Sequence, residues 1–182
     1  GVKTVRLLAK WQGCNLPKNY CLFPTREDLA VTVNVVKPAD APRGGPPEGD
    51  SAAKLPPVPG TAPKVSFEGL PSTASYQEVD SEGRNHPVHA RMFADVTTAS
   101  AGSEFRLAVH LEQQKGWHTY WKSPGDIGLP TRIEWTLPEG WKAAPFEFPV
   151  PLRFDQEGIV SYGYDDEVLF FSDVQVPQAA QP

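Results

Sequence analysis

Cys14 and Cys21 are the only cysteines in the 182-residue chain, and a short loop containing Pro17 and Asn19 separates them. Thiols this close in sequence are typical of a structural disulfide, of a reversible disulfide that exchanges with other thiols, or of part of a metal site. A structural bond across so short a loop contributes about 2.5 kcal/mol in the chain-entropy model. The residues alone leave the structural and the exchanging disulfide equally open.

Metal binding is the least favoured of these three chemistries. Zinc needs two further ligands, and His86, His89, His110 and His118 lack the paired spacing of a zinc site. Copper binding by the first three of these histidines and Met92 is disfavoured because the side chains are scattered along the chain. We therefore expect neither a metal nor a cofactor.

Strand-like sequence flanks the cysteine pair on both sides. Apolar residues alternate with other residues over positions 5–9 before the pair and over positions 29–35 after it. This period-two pattern around a short loop predicts a β-hairpin in which the two cysteines face each other near the turn. Lys18, inside the loop, is the one basic residue that the sequence places beside either thiol.

Strand patterns return after a weak start at residues 65–67, and no segment has sustained helical periodicity. The candidate strands are residues 88–94, 105–111, 132–137, 146–148, 168–171 and 174–176. Short strands separated by turns at regular spacing predict an all-β antiparallel sandwich.

Residues 37–64 differ in composition from the rest of the chain. They contain many prolines and no aromatic residue, so they bury too little apolar surface to offset the entropy of ordering. This favours an extended linker, with a proline-rich ligand as the less favoured alternative. The predicted division is a cysteine hairpin with its strands over 1–36, a linker over 37–64 and a β-domain over 65–182.

Charge and hydropathy exclude some functions. The net charge of −5 gives no basic surface for nucleic acid. No apolar run approaches the roughly 20 residues that cross a bilayer as a helix. The chain begins at Gly1 rather than at a methionine, so we expect it to be a processed or excised piece of a longer protein.

Two groups of motifs resemble one family. The runs are GWHTYWKSPGDIGLPT at 116–131, LPEGW at 137–141 and YGY at 162–164. They are similar to the N-terminal periplasmic domain of the thiol:disulfide interchange proteins DsbD and ScsB. Independently, the cysteine segment WQGCNLPKNYCLFP at 11–24 resembles the redox-active segment of that domain.

The resemblance implies an immunoglobulin-like sandwich that works as a periplasmic protein-disulfide reductase without a cofactor. Cys14 and Cys21 take the positions of the redox pair, with Cys21 as the thiol that meets the partner. Electrons would pass from a membrane-embedded redox domain of the same parent protein to periplasmic thioredoxin-fold oxidoreductases.

The resemblance also implies a loop that covers the cysteines until a partner docks. By position, it corresponds to Tyr162, Gly163, Tyr164, Asp165 and Asp166. Glycine between two tyrosines would combine backbone freedom with rigid apolar faces. The acidic residues after it are predicted either to act as acid–base groups beside the cysteines or to form a solvated turn.

The order of the motifs departs from the family, because the cysteine hairpin here precedes the YGY run instead of following it. The chain is therefore either a permuted domain or pieces of two tandem domains. Residues 1–35 alone would be marginally stable, and the sheet of residues 85–177 would lack strands and expose an edge. We expect the first segment to complete that sheet, within the chain or in a strand-exchanged dimer.

A second function from another class remains open. The chain would then be a non-catalytic immunoglobulin-like interaction module whose disulfide is structural. The redox potential separates the two functions, because structural disulfides lie below about −300 mV. A sugar-binding surface made by the tryptophans is less favoured than their packing in the core of the sandwich.

Overall fold

The computed structural model describes residues 1–37, 72–74 and 86–180, and their regular structure is entirely β-strand. The strands are β1 (Val2–Trp11), β2 (Gly13–Asn15), β3 (Tyr20–Cys21), β4 (Thr25–Val36), β5 (Ser72–Ala74), β6 (Val88–Ala94), β7 (Thr98–Ser100), β8 (Glu104–Gln113), β9 (Trp117–Gly125), β10 (Arg132–Thr136), β11 (Lys142–Ala143), β12 (Leu152–Gln156), β13 (Ile159–Asp165) and β14 (Glu167–Gln175). Within these residues no helix is long and apolar enough to span a membrane.

Two sheets enclose the hydrophobic core. One has the strand order β10-β1-β4-β7 and the other β11-β14-β8-β6-β5. Neighbouring strands are antiparallel except for the parallel pair β4–β7. The predicted all-β, immunoglobulin-like antiparallel sandwich with a cysteine-bearing hairpin is therefore confirmed.

The core follows from the alternation that the sequence displays. Every second residue of β1 and β4 is buried, so each strand turns one face to the opposite sheet. The fully buried side chains of this core include Val5, Leu7, Leu29, Val33, Met92, Leu107, Leu111 and Phe170. Each contributes roughly 1.5–3 kcal/mol by leaving water, which makes these two sheets the stable frame of the molecule.

A third sheet, of order β12-β13-β9-β2-β3, carries the cysteines. It grows out of both core sheets, since β1 runs into β2 after Gln12, β8 precedes β9, and β13 leads into β14. The strands that carry the cysteines are therefore continuous with, or paired to, strands that begin in the core sheets. This arrangement fixes the cysteine hairpin without burying it in the sandwich.

The first segment of the chain pairs with the later segment in the same chain. Arg6–Lys10 pairs with Arg132–Thr136, β2 pairs with β9, and β4 pairs with β7. Within this single chain, the first segment therefore completes one core sheet and the third sheet. The predicted linker, 37–64, and the weak strand start at 65–67 lie outside the described residues except for Lys37, so those domain limits stay predictions.

Some strands differ from the sequence-based expectation. Residues 168–171 and 174–175 belong to one strand, β14, which ends before Val176, and residues 146–148 contribute only a single bridge, Glu147 to Phe171. β9, β12 and β13 were not predicted as strands. Their sequences mix polar, aromatic and apolar residues on both faces, because the third sheet has no continuous apolar core beneath it to impose alternation.

Candidate functional site

The two cysteines lie directly opposite each other in the β2–β3 hairpin and form a disulfide with a Cα–Cα distance of 4.0 Å. The turn between them is closed by local hydrogen bonds. The Asn15 side-chain oxygen accepts from the Lys18 backbone N–H at 3.0 Å, and Asn19 has a left-handed φ of 46°. Asparagine tolerates that conformation better than most residues, so the loop sequence suits the turn that pairs the cysteines.

The two sulfur environments are unequal. Cys14 lies on β2, between β3 and β9, and is only 3% exposed. Cys21 lies on β3, the edge strand of the sheet, and is exposed. Of the two bonded residues, Cys21 is therefore the one more accessible to a reagent in solution.

The buried sulfur has a hydroxyl donor beside it. The Tyr120 hydroxyl donates to Cys14 Sγ across a distance of 3.2 Å, and this contact is buried. The tyrosine lies on β9, the strand that pairs directly with β2. Burial raises the pKa of Tyr120 above its ordinary value, so the hydroxyl keeps its proton and stays a donor.

His118 faces Cys14 across the β2–β9 ladder. Its ring lies edge-on to Tyr120, with centroids 4.9 Å apart, and against Phe154, with centroids 4.8 Å apart. Neither ring nitrogen makes a hydrogen bond of good geometry among the described residues, although the ring lies near the Cys14 backbone. Desolvation lowers the pKa of His118 to about 4, with a smaller opposing effect from the Cys14 backbone, so the ring is neutral at pH 7.

Gln12 ties the hairpin to the segment that follows β9. Its side-chain nitrogen donates to the Leu22 carbonyl at 3.1 Å, and its side-chain oxygen accepts from the Leu129 N–H at 3.1 Å. One side chain thus bridges the residue after Cys21 and the loop that packs on Tyr120. This bridge fixes Leu22, next to Cys21, relative to Leu129, in the segment that packs on Tyr120.

An apolar surface surrounds the exposed cysteine. Phe23 is 94% exposed, and Tyr20 and Leu129 are each about half exposed. Tyr20 packs edge-on against Trp117, which keeps that side of the hairpin rigid. Apolar side chains exposed together are typical of a surface that binds a protein partner.

Comparison with known proteins decides the family. The family "Thiol:disulfide interchange protein DsbD, N-terminal" matches residues 87–182, just over half of the chain. The chain belongs to the DsbD N-terminal domain family.

A solved structure of similar sequence is the N-terminal periplasmic domain of ScsB from Proteus mirabilis, at 29% identity and a TM-score of 0.38. The match covers 50% of this chain and 35% of that one, so the present chain spans about a third of the length of that structure. No curated protein matches the chain.

The predicted covering loop of this DsbD-type domain has a different conformation from the one expected. Residues 162–165 lie in strand β13, paired with β12 and β9, and Asp166 forms the turn after it. Gly163 is required there because a Cβ would overlap the backbone carbonyl of Thr119. Close strand packing, rather than loop freedom, explains this glycine. These residues form a paired strand rather than a free loop, and shielding of the disulfide by them stays a prediction.

Asp165 lies one strand away from Cys14 and forms no hydrogen bond to it among the described residues. Asp165 faces His118 in the ladder, on the side of β9 opposite to Cys14. Burial, and secondarily the neighbouring Asp166, raise the pKa of Asp165. No hydrogen bond joins Asp165 to a sulfur or to His118 among those formed by the described residues. An acid–base function for it therefore stays a prediction.

Nothing in the described part of the chain groups three or more histidine, cysteine or acidic side chains as a metal site would require. Two neighbours of Cys14, His118 and Tyr120, were not predicted from the sequence. Both lie in the run 116–131 that carried the family resemblance, but that resemblance gave no reason to place them beside a sulfur. Only the β2–β9 pairing does so.

Proposed function

We propose that the Cys14–Cys21 disulfide is a redox-active pair that relays electrons in the periplasm. It would accept them from a membrane-embedded redox domain of the same parent protein and pass them to thioredoxin-fold oxidoreductases. The observation that carries this proposal is the asymmetry of the two cysteines, one an exposed residue on an edge strand and one buried beside a hydroxyl donor. Membership of the DsbD N-terminal family supports it.

Each transfer proceeds by thiol-disulfide exchange. A thiolate of the electron donor attacks Cys21 Sγ, the bond to Cys14 breaks, and its electron pair leaves on Cys14 Sγ. The second thiolate of the donor then attacks its own sulfur in the mixed disulfide and releases Cys21 as a thiolate. The donor dithiol becomes a disulfide and this domain becomes a dithiol, so two electrons have moved without a cofactor.

The reduced domain passes its electrons on by the reverse sequence. The Cys21 thiolate attacks the disulfide of a thioredoxin-fold partner, and Cys14 then attacks Cys21 Sγ, which releases the partner as a dithiol. The exposed Phe23 and its apolar neighbours support docking of such a partner next to Cys21.

The competing function is a non-catalytic interaction module with a structural disulfide. The test is the reduction potential of the Cys14–Cys21 bond, measured by equilibration in dithiothreitol redox buffers. We expect a potential above about −300 mV, because an exchanging pair must be reducible by another dithiol. A value well below that limit, together with no reduction by thioredoxin, would leave only the structural function.

A further inference from the structure

Tyr120 is held in one position by three separate contacts. Gly128, with a φ of +92°, packs so closely on the tyrosine ring that a Cβ there would overlap it. Thr131 donates to the Tyr120 carbonyl through its hydroxyl at 2.6 Å, and the His118 ring closes the remaining side. The hydroxyl that reaches Cys14 Sγ is therefore fixed in place before any reaction begins.

The interaction that Tyr120 makes is weak in the oxidised protein and strong in the reacting one. A disulfide sulfur is a poor hydrogen-bond acceptor, whereas a thiolate carries a full negative charge. Donors aimed at the position where charge develops stabilise a transition state without further reorganisation. The site is also buried, which strengthens an electrostatic interaction relative to water.

Among the described residues, no cationic side chain donates a hydrogen bond to either sulfur. His118 is the ring closest to Cys14 in the ladder, and it is neutral at pH 7. Asp165, the charged group that faces His118 from β13, has the wrong sign to stabilise a thiolate. Among the side chains described, Tyr120 is the one that donates a hydrogen bond to either sulfur.

We propose that Tyr120 is a catalytic residue that stabilises Cys14 as the leaving thiolate, an inference that rests on the redox function proposed above. When an incoming thiolate forms a bond to Cys21 Sγ, the Cys14–Cys21 bond breaks and both of its electrons go to Cys14 Sγ. The Tyr120 hydroxyl keeps its proton and strengthens its hydrogen bond to that sulfur. In the reverse direction the same contact holds Cys14 as the thiolate that attacks Cys21.

The test is Tyr120→Phe, which removes the hydroxyl and keeps the ring that packs on Gly128. The rate constant for reduction by dithiothreitol should fall roughly tenfold, the loss expected for a hydrogen bond to a charged group. In the reduced Cys21→Ser background, the pKa of Cys14, followed by thiolate ultraviolet absorbance, should rise by about one unit in the phenylalanine variant. A purely structural function would not move that pKa.

Ser172→Ala is the matched control. It removes another buried hydroxyl, which donates to the Ala144 carbonyl at 2.7 Å in β14, away from the cysteines. Its reduction rate and its Cys14 pKa should equal those of the wild type. If Tyr120→Phe folds poorly, replacement of Tyr120 by 3,5-difluorotyrosine keeps the hydroxyl and strengthens it as a donor, so the Cys14 pKa should fall.

The outcomes separate this inference from the proposed function. A wild-type domain that exchanges readily, with an unchanged rate and pKa in a folded Tyr120→Phe variant, would overturn the assignment of Tyr120 alone. A difluorotyrosine variant with an unchanged Cys14 pKa would do the same. A wild-type disulfide that no dithiol reduces would instead refute the redox function.

Discussion

The two core sheets and the cysteine sheet differ in what they bury. Between the core sheets the buried side chains form one apolar cluster, and β1 and β4 alternate between core and solvent. The cysteine sheet instead buries polar groups, including Asn15, His118, Thr119 and Ser161. Buried polar groups reduce stability unless they are hydrogen bonded, so the desolvated His118 ring of the cysteine sheet lowers the stability that the core sheets supply.

This difference also separates fold from chemistry. We expect a truncation in the core sheets to leave the disulfide chemistry unchanged, and a small change beside Cys14 to alter that chemistry without unfolding the core sheets. The link between them is covalent and short, because β1 passes into β2 through a single residue, Gln12. Four predictions test whether the two regions are as independent as this geometry implies.

The largest effect should come from Cys21→Ser. Thiol-disulfide exchange with reduced thioredoxin should be lost completely, because no bond remains to be attacked. Unfolding in urea should show a free energy lower by only about 2.5 kcal/mol, the contribution of the short cross-link. Wild-type protein with its disulfide reduced is the control for stability. Exchange that persists in the variant would refute a redox function for the pair.

Phe170→Ala should have the opposite profile. Phe170 is fully buried between the core sheets and packs on Phe148 and Tyr164. Its truncation should lower the free energy of unfolding by about 3–5 kcal/mol, measured in urea. At a temperature where the variant stays folded, its reduction rate by dithiothreitol should match the wild type. A slowed reaction would show that the two regions are coupled.

A pH effect on stability should come from His118. Its folded-state pKa of about 4 lies below the ordinary value of 6.5, so the unfolded chain binds the proton first as the pH falls. The free energy of unfolding should therefore be fully retained above pH 6.5 and should decrease by roughly 3 kcal/mol towards pH 4.

His118→Phe keeps an aromatic ring between Tyr120 and Phe154 and removes the titrating group. The difference in unfolding free energy between wild type and variant, measured at several pH values, should contain this pH dependence. Other groups titrate equally in both proteins and cancel in the difference. A flat difference between pH 4 and pH 7 would contradict the burial of a neutral imidazole.

The smallest effect concerns shielding of the disulfide. Phe154, on the β12–β13 hairpin, packs on the His118 ring, and Gln156 of the same hairpin donates to the Leu16 carbonyl at 3.4 Å. We expect Phe154→Ala to accelerate reduction by glutathione a few-fold, because it opens the packing around Cys14. Tyr162→Ala, in β13, is the matched control, and it should accelerate the reduction less than Phe154→Ala does. A larger acceleration in the tyrosine variant would instead support the shielding first predicted from sequence.

The sandwich and the cysteine pair were predictable because they depend on local patterns. Alternation over residues 29–35 and 105–111 requires one buried face whatever the strands pair with. Cys14 and Cys21 are so close in sequence that the hairpin between them brings them together. The conformation of residues 162–165 was not predictable, because a glycine between tyrosines suits a loop and a tightly packed strand equally well.

By itself the sequence determined the strands of the core, the cysteine hairpin and the family motif. Tertiary structure alone decided which sulfur is buried, since that depends on β9 lying beside β2 and on β3 forming the edge. It also brought Tyr120 to Cys14, a contact between residues 106 positions apart. Pairing between distant strands is set by the packing of the whole chain, which no local pattern encodes.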